Sequence, residues 1–141
     1  MIYADTSALV KRYLDEPFSA EFDALLQQNA MAISRLSVVE LRCALARRRR
    51  NREIDLLRES RINAELAADI QDGTLRVGSI DDENFTTAYH LIGRLAELPL
   101  RTLDALHLAA AEQLAVTAFA TADKTQAEAA AALGFTVHRF Y

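Results

Sequence analysis

The chain has one cysteine, four glycines and two prolines in 141 residues. Cys43 alone can close no internal disulfide and has no companion for a zinc site, which favours a reducing compartment. So few glycines and prolines, beside 51% hydrophobic and 26% charged residues, mark a globular chain and exclude a disordered one. No run of about 18 uncharged apolar residues is present, and no basic-then-apolar leader precedes the first apolar segment. A soluble, cytoplasmic protein without membrane contact is therefore expected. Positive charge is also in short supply. The net charge of −4 argues against a generic polyanion binder. What basic charge there is sits unevenly: residues 35–61 hold nine Arg against Glu40, Glu53, Asp55 and Glu59, a local +5 that leaves −9 for the remainder.

No repeat, low-complexity tract or linker interrupts the chain, and the length suits a single domain over 1–141 with a real core. Short apolar segments alternate with helical patterns. The strands read as Ile2–Asp5, "MAIS" (31–34), "LRVGSI" (75–80), "TAFATA" (117–122) and "TVHRF" (136–140). Between them, helices are predicted from Ser7 to Leu14 and from Pro17 onward with Phe18, Phe22, Leu25 and Leu26 on one face. Further helices follow Ser37, span 54–71, span 83–97 after Asp81 or Asp82, follow Thr102, and span 124–133 up to Gly134. This alternation indicates an α/β sandwich around a mostly parallel sheet, which places ligands outside the carboxyl ends of its strands.

Asp5 and Asp123 fall at two such strand ends, and Glu40 and Asp104 in the first turns of helices that begin on the same rim. Each has a structural reading. Asp5 and Asp123 suit helix N-caps, Ser37-Val38-Val39-Glu40 fits a capping box, and Asp104 complements a helix dipole. Taken jointly, four acids on one rim with no Lys or Arg obviously among them repel one another unless a cation intervenes. Oxygen-only ligands suit Mg²⁺ or Mn²⁺ and not zinc. An acidic metal pocket is the economical expectation.

The stretches "YADTSALVKRY", "SRLSVVELRCAL", "LRTLDALHLAAA" and "FATADK" resemble the four motifs of PIN domains, the first in the form found in VapC-type ribonuclease toxins. The resemblance runs in order from Asp5 to Asp123. It implies a three-layer α/β/α sandwich with a five-stranded parallel sheet, and metal-dependent endoribonuclease activity on an RNA substrate. It further implies inhibition by a cognate antitoxin, and a homodimer. Carried over position by position, the catalytic and metal-binding acids are Asp5, Glu40, Asp104 and Asp123, with Thr6 and Thr121 as hydroxyl partners.

Mg²⁺ or Mn²⁺ on such carboxylates can activate water and stabilise the leaving 3′ oxygen, giving 5′-phosphate and 3′-hydroxyl ends. His107, one turn after Asp104, reads as a packed or exposed side chain in preference to a substrate contact; His90 and His138 have no companion ligands. The run Arg47-Arg48-Arg49-Arg50 with Arg52 exceeds what a helix C-terminus needs and suits RNA phosphates or an antitoxin's acidic stretch, beside the plain reading of a solvated charge run. A dehalogenase-like phosphatase wants a second Asp where Ser7 stands, and a receiver domain wants an acidic pair ahead of its acceptor. Both fit worse. A catalytically inactive PIN-like binding module remains the rival from another class.

Overall fold

The computed structural model describes all 141 residues. Five strands, β1 (Ile2–Ala4), β2 (Met31–Ser34), β3 (Leu75–Gly78), β4 (Ala118–Thr121) and β5 (Thr136–Arg139), alternate with seven helices. These are α1 (Thr6–Tyr13), α2 (Ser19–Gln28), α3 (Arg35–Arg50), α4 (Leu56–Gln71), α5 (Asp82–Arg94), α6 (Thr102–Gln113) and α7 (Lys124–Ala132). The strand order is β3-β2-β1-β4-β5, and every pairing is parallel, so the sheet is wholly and not mostly parallel.

Period-2 alternation along the strands divides the interior into two apolar layers. On β1, Ile2 and Ala4 face α1 to α4, packing with Leu9, Phe22, Leu41, Leu45, Ile62 and Leu66. Tyr3 faces the other way, with Phe119 and the buried residues of α5, α6 and α7. The result is the expected three-layer α/β/α sandwich. The three central strands β2, β1 and β4 are covered on both faces and read as nearly continuous apolar runs, whereas the edge strands β3 and β5 carry Arg76, His138 and Arg139.

The order reverses at β1. The chain moves outward through β2 and β3, then returns so that β4 pairs with the free side of β1, in the register Ala4↔Ala120. The residues just past these strands, Asp5 and Thr121 through Asp123, therefore flank the switch point, where parallel sheets open a crevice.

Helix starts differ from the sequence reading in three places. α3 begins directly at Arg35 with Ser34 as its cap and Ser37 at the third position, whose hydroxyl accepts from the Ser34 N–H at 3.4 Å. Glu40 is thus a second-turn residue and no part of a capping box. α6 is capped by Arg101, not Thr102, because the Asp104 carboxylate reaches back to the Arg101 N–H at 3.1 Å. Pro17 precedes α2 instead of opening it, since Phe18 takes the cap position with φ 69°. Gly134 closes α7 as expected, with φ 91° supplying the left-handed turn into β5.

Phe119 is fully buried between the rings of Tyr3 and Phe135, at centroid distances of 5.3 and 5.9 Å. Phe119→Ala is expected to cost about 3–5 kcal/mol, read as a lower urea midpoint. A loss below about 1 kcal/mol would contradict this account of the core.

Candidate active site

Asp5 ends the central strand and caps α1. Its side chain is 4% exposed. One oxygen accepts from Ala8 N–H at 3.0 Å and Ser7 Oγ at 2.6 Å, the other from Thr121 Oγ1 at 2.5 Å. Burial pushes its proton affinity up, opposed by the nearby His107 charge and by these hydrogen bonds. The net direction is upward: this carboxylate is held ionised only at a cost. Ser7 is the second residue of α1, inside the turn that Asp5 caps. Its hydroxyl also accepts from the Ala122 N–H at 2.8 Å, stitching the first turn of α1 to the end of β4.

Glu40 stands on α3, half-buried, with Oε1 accepting from Thr6 Oγ1 at 2.7 Å and lying 2.5 Å from His107 Nε2. Burial pushes its proton affinity up, but the His107 hydrogen bond and charge, the Thr6 hydroxyl and Arg101 outweigh it, and the net direction is downward. His107 is buried and continues the chain: its Nδ1 lies 2.7 Å from Tyr3 Oη, which donates to Ser34 Oγ at 2.9 Å. Because the tyrosine proton is directed at Ser34, Nδ1 is the donor to Tyr3. Burial pushes the Tyr3 phenol upward, so it stays neutral in this chain.

Asp104 and Asp123 lie on the opposite side of Asp5, at the starts of α6 and α7. Asp104 Oδ2 accepts from Arg101 N–H at 3.1 Å and Nε at 3.3 Å, and the same guanidinium stands 4.0 Å from Asp123 Oδ2. Asp123 caps α7 through Gln126 N–H at 2.8 Å, and its own N–H donates to Thr121 Oγ1 at 3.0 Å. Gln126, buried, donates from Nε2 to the Asp104 carbonyl at 3.1 Å and so ties the two helix starts together.

The four acids do share one rim, linked in sequence by Thr6, Thr121, His107 and Arg101. They do not meet as a closed cage: no three His, Cys, Asp or Glu side chains are grouped to enclose an ion. Arg101, which the sequence did not reveal as a partner, supplies counter-charge to Asp104 and Asp123, and His107 hydrogen-bonds Glu40. Even so, Glu40 Oε2, Asp104 Oδ1 and Asp123 Oδ2 receive no hydrogen bond from the protein. An all-oxygen set with open positions fits a hard ion such as Mg²⁺, which keeps several waters and takes only one or two carboxylates directly.

A sequence model of the PIN-domain family matches residues 2–132. The chain belongs to the PIN-domain family. Among solved structures it is similar to the sarcin-ricin loop cleaving toxin VapC20 of Mycobacterium tuberculosis, at 18% identity and TM-score 0.74, covering 96% of this chain and 97% of that one. It is similar to FitAcB of Neisseria gonorrhoeae, at 19% identity and TM-score 0.74, covering 97% and 96%. A toxin–antitoxin complex from Klebsiella pneumoniae matches at 18% identity and TM-score 0.61, covering 87% of each chain. No curated protein sequence matches it. At these identities the structural likenesses establish the PIN fold and nothing finer.

Within this PIN domain, sequence reasoning missed Arg101, Gln126 and the role of His107. The only local signal was the Arg101-to-Asp104 spacing of a capping residue and its third-position acid. Asp5→Asn removes a buried charge while keeping a group that accepts from Ala8. In the absence of divalent ions it is expected to stabilise the fold by roughly 1 kcal/mol, about 3–5 °C in Tm. Because the folded-state pKa of Asp5 is raised, its destabilisation is absent below the unfolded value of 3.8, opens as pH rises above it, and reaches a plateau once the folded group ionises. Melting curves of both proteins across that range check the sign; a variant less stable than wild type at neutral pH contradicts it.

Proposed function

We propose that this PIN domain is a metal-dependent endoribonuclease of the toxin type, cutting RNA phosphodiesters to 5′-phosphate and 3′-hydroxyl ends and held inactive by a cognate antitoxin. The observation that carries the reading is the line of four carboxylates at the switch point between β1 and β4 of a PIN fold. One of them, Asp5, is buried where desolvation disfavours its ionised form. The structural neighbours, a sarcin-ricin loop cleaving toxin and a toxin–antitoxin complex, support the same class.

Asp5, Asp104 and Asp123, with Glu40, are the residues that would hold Mg²⁺ or Mn²⁺. When bound, the ion supplies a water of lowered pKa and a Lewis acid for the phosphate oxygens. The protein's own groups set the geometry. Thr121 and Ser7 hold the Asp5 carboxylate in place. Thr6 and His107 occupy one Glu40 oxygen and leave Oε2 to orient the attacking water. Arg101, 78% exposed on its side chain, is positioned to leave the two aspartates and meet substrate phosphate.

Two surfaces suit the partners. An apolar groove of about 500 Å³ between α3 and α4, lined by Val38, Val39, Leu66 and Ile70 and edged by Arg35 and Arg42, suits an antitoxin segment with apolar and acidic residues. On α5, Phe85, Tyr89 and Ile92 form an exposed stripe at helical spacing, Tyr89 at 76% exposure, which suits a homodimer. The basic run on α3, with Arg47 and Arg50 free of ion pairs and Arg52 just beyond, suits RNA phosphate or the antitoxin. No helix is long and apolar enough to cross a membrane, and cytoplasmic action is proposed.

Asp5→Asn and Asp123→Asn are each expected to abolish cleavage of cellular RNA while retaining the fold; full cleavage by both overturns the proposal. Mn²⁺ at ten times its Kd is expected to stabilise the wild type by about 1.4 kcal/mol and Asp5→Asn not at all. A flat response in the wild type up to millimolar metal favours a non-catalytic binding module. Tyr89→Glu is expected to convert a dimer to a monomer in sedimentation velocity; an unchanged sedimentation coefficient moves any self-association elsewhere.

A further inference from the structure

A cleft of about 300 Å³ opens beside the carboxylate rim, between α1 and α3. Its inner end is formed by Thr6 and Ser7, the two residues that follow Asp5, and its walls carry Lys11, Arg47 and Arg48 against a single acid, Glu16. Lys11 is only 8% exposed. Its ammonium donates to Pro17 O at 2.9 Å and lies 3.9 Å from Glu16, which leaves donor capacity uncommitted. Arg48 pairs with Glu16 at 2.7 Å. Arg47 has no ion pair and is exposed at the cleft.

The other arginines of the run are disposed differently. Arg49 Nε lies 2.6 Å from Glu59 Oε2, an ion pair lacking hydrogen-bond alignment, across to α4. Neither Arg49 nor Arg50 lines the cleft. Burying an ammonium next to a polar channel is costly unless anions compensate it, and here the cations outnumber the acid three to one. A polynucleotide engaged at the acidic rim has to continue past it, and its phosphates are repelled by the four carboxylates. Beyond Arg101 at the rim itself, a cationic surface that offsets that repulsion is the cleft whose lining begins at Thr6, next to Asp5.

From this geometry we propose that the α1–α3 cleft is a subsite for the phosphate flanking the scissile bond of single-stranded RNA, with Lys11 and Arg47 as its phosphate contacts and Glu16 as an opposing charge that weakens occupancy. The inference rests on the nuclease reading above and divides the arginine run: Arg47 serves the substrate, whereas Arg49 serves packing against α4. An acidic protein segment offers a different chemistry for the same cations, and the experiment separates the two.

The probe is a twelve-nucleotide single-stranded RNA carrying fluorescein, titrated with the full chain in EDTA so that no metal-dependent cut occurs, at several salt concentrations. Arg47→Gln is expected to weaken binding and make the log–log salt slope shallower by about 0.7, the share of one single-strand phosphate. Glu16→Gln is expected to tighten binding, the opposite sign from a purely structural loss. Arg49→Gln is expected to leave the slope unchanged. Lys11→Met is expected to act like Arg47→Gln; should it fail to fold, the two surface variants still decide. Wild type that binds the RNA with a slope indifferent to Arg47→Gln and Glu16→Gln overturns the subsite and leaves the nuclease reading intact. Variants that lose affinity for twelve-residue polyglutamate but not for RNA also overturn it. Wild type that binds no RNA overturns both.

Discussion

A carboxylate kept almost wholly out of water at the end of the central strand governs the rest of this structure. Asp5 sits where the apolar interior of the sheet meets the crevice at the switch point, and ionising it there is unfavourable. The fold answers with three donors: the Ala8 N–H, the Ser7 hydroxyl and the Thr121 hydroxyl. Two of them do further work. Ser7 accepts from Ala122, and Thr121 accepts from Asp123. Satisfying one charge thereby fastens α1 to β4 and sets where Asp123 begins α7.

The remaining acids are partnered in two unlike ways. Glu40 is matched from the inside, by His107, whose other ring nitrogen is anchored on Tyr3 in the core beside Ser34. That arrangement is rigid because every member is buried or half-buried and already bonded. Asp104 and Asp123 are matched from the outside by Arg101, whose side chain is mostly in solvent, where ion pairs contribute little and exchange readily. The rim has one fixed flank and one exchangeable flank. A cation or an anionic substrate meets resistance at the first and little at the second.

Charge in the sequence and charge in space are also different quantities. Residues 35–61 carry a formal +5, but part of it is spent internally: Arg48 on Glu16 and Glu53, Arg49 on Glu59, Arg58 on Glu65. Of the arginines left without an ion pair, Arg47 lines the α1–α3 cleft beside the carboxylates, while Arg35 and Arg42 edge the groove between α3 and α4. Folding therefore brings part of a generally basic segment, Arg47 and Arg48, together with Lys11 of α1 in a cationic cleft adjoining an anionic rim, a dipolar arrangement suited to a polyanion held in one place and acted on in another.

The alternation of short apolar strands with amphipathic helices, the two-layered core and the assignment of Asp5, Glu40, Asp104 and Asp123 to one rim were all legible from the chain. They follow from local periodicities and from the topology that parallel strands impose. The exact helix starts were not, because several neighbouring side chains compete to cap each one, and Ser34 and Arg101 prevailed over Ser37 and Thr102 through contacts three residues away. Nor were the partners of the acids legible. Glu40 and His107 are 67 residues apart and Tyr3 and His107 are 104 apart, and no pattern of spacing encodes a hydrogen bond across the two faces of a sheet. Sequence alone thus determined which acids the protein carries and at which strand ends. Tertiary structure alone decided which of them are buried, which are paired and through which oxygen each stays open, since desolvation and hydrogen bonding depend on neighbours that only the fold brings together.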